Sequence, residues 1–119
     1  MITLTPSKQQ RLVRYQQQYQ QLKQQLADLG FVVQGSLSQR WMQCGKQACR
    51  CREDPEARHG PYYQWSWKSQ GRTASVYLNP QQAELCKQWI ANHRELERLT
   101  QQMRALSLRM ARLYGIGQK

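Results

Sequence analysis

The chain has 119 residues, of which 39% are hydrophobic, and its 18 Lys and Arg against 7 Asp and Glu give a formal net charge of +11. This length fits one domain, and the hydrophobic fraction lies below the ~45–50% usual for globular domains, so we expect a thin core. No stretch is long and apolar enough to be a transmembrane helix, and the first residues lack the apolar run of a signal peptide. We therefore expect a single-domain cytoplasmic protein with reduced thiols, no membrane association, and nucleic acid or another polyanion as its partner.

The first predicted element is a helix over residues 5–30. Thr5 is a suitable N-cap, and Pro6 fits the first helical position, where its missing N–H costs nothing. Gly30 is expected to end the helix in a left-handed conformation. Apolar side chains recur at spacings of three and four, which predicts a heptad-like seam with the Gln-rich run on the solvated face. The seam consists of Leu12, Tyr15, Tyr19, Leu22, Leu26 and Leu29.

The middle of the chain, residues 31–78, is predicted to form a three-stranded antiparallel sheet. Its second and third strands alternate apolar and polar side chains, and the four residues 68–71 between them suit a hairpin loop. The first strand contains Gly35, which predicts a bend or a bulge. The three strands are expected within residues 31–42, 62–68 and 72–78.

The last predicted element is a helix over residues 79–115. Asn79 is its N-cap, Pro80 its first residue, and Gln82 completes a capping box. Its apolar seam is interrupted by Asn92, which either fixes the register of a helix pair or lies at the wet end of that pair. The apolar members of this seam are Leu85, Trp89, Leu96, Leu99, Met103, Leu106, Met110 and Leu113.

Together these elements predict an α+β fold, in which a long antiparallel, coiled-coil-like helical hairpin carries the inserted three-stranded sheet. At the rise per residue of an α-helix, the second helix would be about 16 Å longer than the first. Its seam around Met103–Leu113 would then have no partner within the chain. We therefore expect a homodimer through the C-terminal helix.

Three of the four cysteines and one of the two histidines lie close together in the sequence. The pattern Cys-x4-Cys-x-Cys-x7-His supplies three sulfurs and one imidazole, a complete ligand set for a structural Zn²⁺ ion that stabilises the sheet. The alternative fourth ligand is Cys86, which otherwise would be a small apolar residue at a helix interface. The predicted metal ligands are Cys44, Cys49, Cys51 and His59.

Other interpretations of these cysteines are unmetallated thiols, disulfides, an iron–sulfur cluster, and a redox or catalytic cysteine. A reducing compartment argues against disulfides, and the spacing of a ferredoxin is absent. A catalytic cysteine would need a committed histidine or a paired cysteine, and four protein ligands would leave a metal no open position for chemistry. Structural zinc in a protein that is not an enzyme is the favoured interpretation, with unmetallated thiols second.

Four stretches, taken in chain order, resemble a family of small, uncharacterised prokaryotic proteins of unknown function. They are GSL (35–37), CGKQACRC (44–51), HGPYY (59–63) and GRTASVYL (71–78). The resemblance covers the central segment and the flanking helices, and it assigns no role to any residue. It implies an association with transposases and other mobile-element genes.

Basic and aromatic side chains are concentrated on the predicted sheet and its cysteine loop. Basic residues contact phosphates and aromatic residues can stack on bases, whereas no helix–turn–helix pattern is visible. We therefore predict a non-catalytic nucleic-acid-binding accessory protein, with DNA favoured over RNA. The alternative is a protein-interaction or assembly subunit that uses the helical hairpin. The predicted nucleic-acid contacts are Arg40, Lys46, Arg50, Arg52, Arg58, Tyr62, Lys68 and Arg72.

Overall fold

The computed structural model describes residues 2–117, and the elements in this range follow the predicted order. They form an antiparallel sheet with the strand order β1-β2-β3, which confirms the predicted α+β fold class. Among the described residues, neither helix combines the length and the apolar character needed to cross a membrane. The elements are α1 (Pro6–Ala27), β1 (Ser36–Met42), β2 (His59–Ser69), β3 (Arg72–Leu78) and α2 (Pro80–Leu113), with short 3₁₀ helices at Arg50–Arg52 and Pro55–Ala57.

The chain divides into a helical unit and a sheet unit. The helical unit contains the chain up to Gly30 and from Arg94 onwards, and the sheet unit contains Phe31–His93. Helix α2 therefore contributes residues 80–93 to the sheet unit and its remaining turns to the helical unit.

Both helices begin at the predicted caps. The Thr5 hydroxyl oxygen accepts a hydrogen bond from the Lys8 N–H at 3.3 Å. At the start of α2, the Gln82 N–H donates to Asn79 Oδ1 at 2.8 Å, and the Asn79 N–H donates to Gln82 Oε1 at 2.9 Å. This reciprocal pair satisfies two backbone donors that the first turn of a helix leaves without intrahelical partners.

The end of α1 differs from the prediction. The helix ends at Ala27, and Asp28 is its C-cap in the right-handed conformation. Gly30 does not have a positive φ, so the predicted left-handed closure at this glycine is wrong.

The helical unit is built on the predicted seams. The prediction that the seam around Met103–Leu113 lacks a partner within the chain is wrong, because Leu106 packs with Leu22 of α1 and Leu113 is also buried. The residues by which α2 exceeds α1 in length lie at the N-terminal end of α2 and belong to the sheet unit. The predicted homodimer therefore loses the argument based on this seam, and it stays a prediction. The core of the unit consists of Leu22, Leu99 and Leu106, with Tyr15, Tyr19, Leu26, Leu29 and Met103 packed against them.

The first turns of α2 bury a different face from the predicted one. Ala83, Cys86 and Ile90 are buried at spacings of three and four, whereas Leu85 is 53% exposed. Cys86 lines a small apolar cavity together with Trp65 of β2. Leu85 lines the same cavity but stays half exposed, so these turns face the sheet with Cys86, and not Leu85, as the buried side chain.

Strand β2 lies at the centre of the sheet. Trp65 pairs with Leu37 on β1 and with Val76 on β3, so these side chains form one row on the apolar face. Gln70 and Gly71 form the turn between β2 and β3, both with positive φ, at 52° and 78°. This is the geometry of a two-residue type I′ turn, which is shorter than the predicted four-residue loop.

Strand β1 begins five residues later than predicted, because residues 31–34 bond to α2 and to the Trp65 side chain instead of to a strand; the Val33 N–H, for example, donates to the Trp89 carbonyl at 3.2 Å. The Asn92 amide donates to the Phe31 carbonyl at 2.9 Å, and the Trp65 indole donates to the Gln34 carbonyl at 2.9 Å. Asn92 thus holds the segment that leads into the sheet, a contact that the sequence did not predict.

Gly35 forms the predicted bend before β1. Its φ is +113°, and a Cβ atom at this position would lie 2.2 Å from the Ser66 carbonyl oxygen and 2.8 Å from Trp65 Nε1. A side chain would therefore collide with the backbone of β2 and would also occupy a conformation that L-residues rarely adopt.

Candidate metal centre and surrounding basic surface

The candidate metal centre is built where β1 ends and β2 begins. Met42, the last residue of β1, is the register partner of His59, the first residue of β2. Cys44 follows β1 by two residues, so strand pairing alone brings it near His59. The intervening loop, residues 43–58 (the cysteine loop), starts and returns at the same edge of the sheet.

Short turns within the cysteine loop place the other two cysteines. The Cys49 N–H donates to the Lys46 carbonyl at 3.2 Å, and the Arg52 N–H donates to the Cys49 carbonyl at 3.2 Å. Cys51 lies in the 3₁₀ helix Arg50–Arg52 and has no exposed surface. These turns close the loop so that its sulfurs point toward one another.

The four predicted ligands come together in the structure, with all four donor atoms within 4.8 Å of one another. Cys49 Sγ lies 3.2 Å from His59 Nε2, and Cys44 Sγ lies 3.6 Å from Cys51 Sγ. In a tetrahedral site with metal–sulfur bonds of 2.3 Å and metal–nitrogen bonds of 2.0–2.1 Å, neighbouring donors are separated by about 3.6–3.8 Å. The two separations lie within about 0.4 Å of these values, and no pair of donors is more than 4.8 Å apart, so a small adjustment of the side chains lets the cluster hold one metal ion.

Backbone N–H groups stabilise the thiolate form of two cysteines. The N–H of Cys51, and after it the side chain of His59, lowers the pKa of Cys49 to about 6. The Cys44 N–H donates to Cys51 Sγ at 3.2 Å and by itself lowers the Cys51 pKa, but burial and the neighbouring thiols outweigh it and raise that pKa above the ordinary value. A bound cation would offset this penalty, since metal ligation deprotonates thiols.

Cys86 lies outside the cluster. It is buried on α2, and burial raises its pKa. The structure therefore places His59, and not Cys86, beside the three cysteines of the loop. Of the two roles considered for Cys86, that of a small apolar residue in a packed interface agrees with its position.

Asp54 organises the second half of the cysteine loop. Its Oδ1 accepts a hydrogen bond from the Glu56 N–H at 3.0 Å, and its Oδ2 lies 3.2 Å from the Arg50 guanidinium. The first contact caps the short helix Pro55–Ala57. Both contacts give the carboxylate a structural role within the loop.

The structure separates the predicted nucleic-acid contacts into three groups, all of them exposed. One group lies on the cysteine loop, and a second lies on the face of the sheet opposite Trp65. Arg72 pairs with Ser69 and therefore lies on the face that carries Trp67, away from the second group. The loop group is Lys46, Arg50, Arg52 and Arg58, and the sheet group is Arg40, Tyr62 and Lys68.

Sequence reasoning did not single out Tyr77, which is an exposed aromatic side chain of the sheet. Tyr77 pairs with Gln64, which lies on the same face as Tyr62, and its side chain is 58% exposed. The alternation of β3 already separates Tyr77 from the apolar residues of that strand. Only the register of the β2–β3 hairpin adds the information that Tyr77 is close to Tyr62.

A bulge in β2 also escaped prediction. Arg40 pairs with Tyr62 and Met42 pairs with His59, so Gly60 and Pro61 of β2 face the single residue Trp41 of β1, which is half exposed. Gly60 has a φ of +146°, and a Cβ there would lie 2.6 Å from the Arg40 carbonyl oxygen and 3.0 Å from the Trp41 ring. The close approach of the two strands beside His59 therefore requires glycine at position 60.

The chain belongs to the family described as a domain of unknown function (DUF6788), whose model matches residues 12–88. The matched range includes the whole sheet and the four residues of the candidate metal centre, and it ends within α2. The predicted membership of an uncharacterised family is thereby confirmed. No significant match to this chain was found among curated proteins or among solved structures.

Proposed function

We propose that this chain is a non-catalytic nucleic-acid-binding protein in which one structural zinc ion fixes the exposed basic side chains of the cysteine loop beside the sheet. The observation that carries the proposal is the composition of the cysteine loop. The loop that supplies Cys44, Cys49 and Cys51 also carries exposed cations. Lys46 lies between Cys44 and Cys49, and Arg52 directly follows Cys51. An ion bound by the cysteines would hold these cations in a fixed arrangement.

The donor set favours zinc over other metals. Three thiolates and one imidazole are ligands that suit Zn²⁺, and four protein donors complete its tetrahedral coordination. An iron–sulfur cluster would need a fourth thiolate, whereas Cys86 is buried outside the cluster. Since four protein donors leave no position for water or substrate, the ion would support structure and not catalysis.

Charge makes nucleic acid the favoured partner. A zinc ion with three thiolates and a neutral histidine carries a net charge of about −1. The cysteine loop adds four basic and three acidic side chains, so the loaded loop is close to neutral, and its exposed cations act together with the +11 charge of the whole chain. The three described strands contain no Asp or Glu, so no carboxylate on the sheet repels a phosphate. Contacts between cations and phosphates give affinity that falls steeply with salt. The association with mobile-element genes that the resemblance implies makes DNA the first partner to test and RNA the second.

Two matched triple variants test whether the loop makes the contact. Each replaces one lysine and two arginines by glutamine, so both lower the net charge equally. The loop variant should lose affinity for labelled DNA and lower the slope of log affinity against log salt by about 2 to 3, while the helix variant changes little. Equal losses in the two variants would refute a specific role of the loop. The loop variant changes Lys46, Arg52 and Arg58, and the helix variant changes Arg11, Arg14 and Lys23, all exposed.

A second candidate function is assembly through the C-terminal part of α2, either with another protein or as the predicted homodimer. It is favoured by apolar side chains that stay exposed there: Leu108 at 56% and, just beyond the helix, Ile116 at 63%. Sedimentation equilibrium of the wild type and of Leu108→Gln tests the homodimer. A monomer at micromolar concentration for the wild type would exclude it.

A further inference from the structure

One face of the sheet is polar and exposed in the sheet unit. Because side chains alternate along β2, Tyr62, Gln64 and Lys68 lie on the face opposite Trp65. Pairing adds Arg40 of β1, opposite Tyr62, and Tyr77 of β3, opposite Gln64. We call these five residues the polar sheet face.

The two tyrosines of the polar sheet face lie close together and are accessible. Gln64 is two residues from Tyr62 and directly opposite Tyr77, so the tyrosines are diagonal neighbours, about 7–8 Å apart. Tyr62 is 42% exposed and Tyr77 is 58% exposed. By contrast, Tyr63 on the other face is half-buried, and its hydroxyl accepts a hydrogen bond from Gln39 at 3.3 Å.

Charge on this face is positive. Arg40 lies beside Tyr62 in the register, and Lys68 lies further along β2, both exposed. The amide of Gln64, between the two tyrosines, has donors and an acceptor that can pair with base edges. The face therefore combines aromatic rings, cations and a polar amide within three adjacent strands.

This combination matches unpaired bases and not a duplex. In a duplex the flat faces of the bases are covered by neighbouring base pairs, whereas the bases of a single strand can lie on aromatic rings while its phosphates contact cations. We infer that the polar sheet face binds single-stranded nucleic acid, with Tyr62 and Tyr77 stacking on neighbouring bases. The inference rests on the proposed nucleic-acid-binding function and adds the strand type and a second contact tyrosine.

Fluorescence anisotropy at one fixed salt concentration tests this, with labelled oligo-dT, oligo-U and a short DNA duplex as probes. Tyr62→Leu and Tyr77→Leu should each weaken binding of the preferred single strand about 5- to 150-fold, the range expected for loss of one base–aromatic stack, with little change for the duplex. Tyr62→Phe and Tyr77→Phe keep the ring and should bind like the wild type. Tyr114→Leu, an exposed tyrosine of the helical unit, is the matched control and should change neither affinity.

The outcomes separate the two proposals. Wild-type binding to duplex without binding to either single strand overturns the inference and leaves the proposed function standing. Leucine variants that bind single strands as the wild type does, or that lose duplex affinity equally, also overturn it. Absence of binding to all three probes overturns both proposals. A preference between oligo-dT and oligo-U, lost in the leucine variants, supports the inference and assigns DNA or RNA as the ligand.

Discussion

Replacing Cys51 by alanine should abolish metal binding and the stability that comes with it, whereas replacing Cys86 should not. Both thiols are buried, at 0% and 5% exposure, so the two substitutions remove equivalent buried sulfurs. Only Cys51 belongs to the candidate metal centre within the described chain, where its Sγ lies 3.6 Å from Cys44 Sγ and accepts the Cys44 N–H. The pair therefore separates loss of a ligand from loss of core packing.

The magnitudes follow from linkage. At a free zinc concentration 1,000 times the dissociation constant, binding raises the free energy of unfolding by about 4 kcal/mol. For a domain of this size that corresponds to a shift in the unfolding temperature of about 15 °C. Deleting either buried sulfur costs about 1 kcal/mol in lost burial, comparable to deleting one methylene. Cys51→Ala should therefore lose the stabilisation by zinc, and Cys86→Ala should keep it.

Thermal unfolding by circular dichroism, with zinc and with chelator, measures both terms for each variant. Mass spectrometry under native conditions gives the stoichiometry, expected to be about one zinc per chain for the wild type and for Cys86→Ala. The reasoning is refuted if zinc stabilises Cys51→Ala as much as the wild type. It is also refuted if chelator leaves the unfolding temperature of the wild type unchanged.

Two further predictions concern the bend before β1 and the metal-free loop. Gly35→Ala should lower the free energy of unfolding by at least about 1–2 kcal/mol, because an L-residue is strained in this conformation and its Cβ would also collide with the Ser66 carbonyl. Gly45→Ala is the control, since a Cβ there meets no atom within 4 Å and Gly45 has no positive φ. Denaturant titrations should show that it changes the free energy of unfolding by less than about 0.5 kcal/mol. Because the pKa of Cys49 is lowered from 9.0 to about 6, its thiolate stabilises the folded metal-free chain fully above pH 9, and this contribution is lost as the pH falls through about 6. Urea titrations across this range should show that loss in the metal-free wild type, whereas a Cys49→Ala profile with the same slope would contradict it.

Features set by neighbouring residues could be predicted from the sequence. The caps at Thr5 and Asn79 depend on side chains within one helical turn, and the structure contains both. The ligand cluster could be predicted for a similar reason, since donor types and spacing restrict the chemistry, and strand pairing then brings Cys44 to His59.

Features that depend on residues far away in the sequence could not be predicted. Phe31 begins an apolar run that is typical of a strand, yet its carbonyl is bonded by Asn92, 61 residues away. In the first turns of α2, Cys86 is buried and Leu85 is half exposed although both line the cavity beside Trp65, and the apolar spacing of the sequence does not distinguish them. The pairing of Tyr77 with Gln64 likewise depends on the hairpin register, which the composition of β3 does not contain.

The central claim, that a metal ion fixes the cations of the cysteine loop for binding to nucleic acid, is tested most directly by one measurement. Anisotropy of labelled single-stranded and duplex DNA is recorded across a salt series for zinc-loaded protein, for protein treated with chelator, and after zinc is restored. We predict that the zinc-loaded protein binds with micromolar or tighter affinity and that log affinity falls steeply against log salt. Treatment with chelator should weaken binding about tenfold or more, and adding zinc back should restore the affinity. Binding that is unchanged by chelator, or flat anisotropy even at low salt, would contradict the claim.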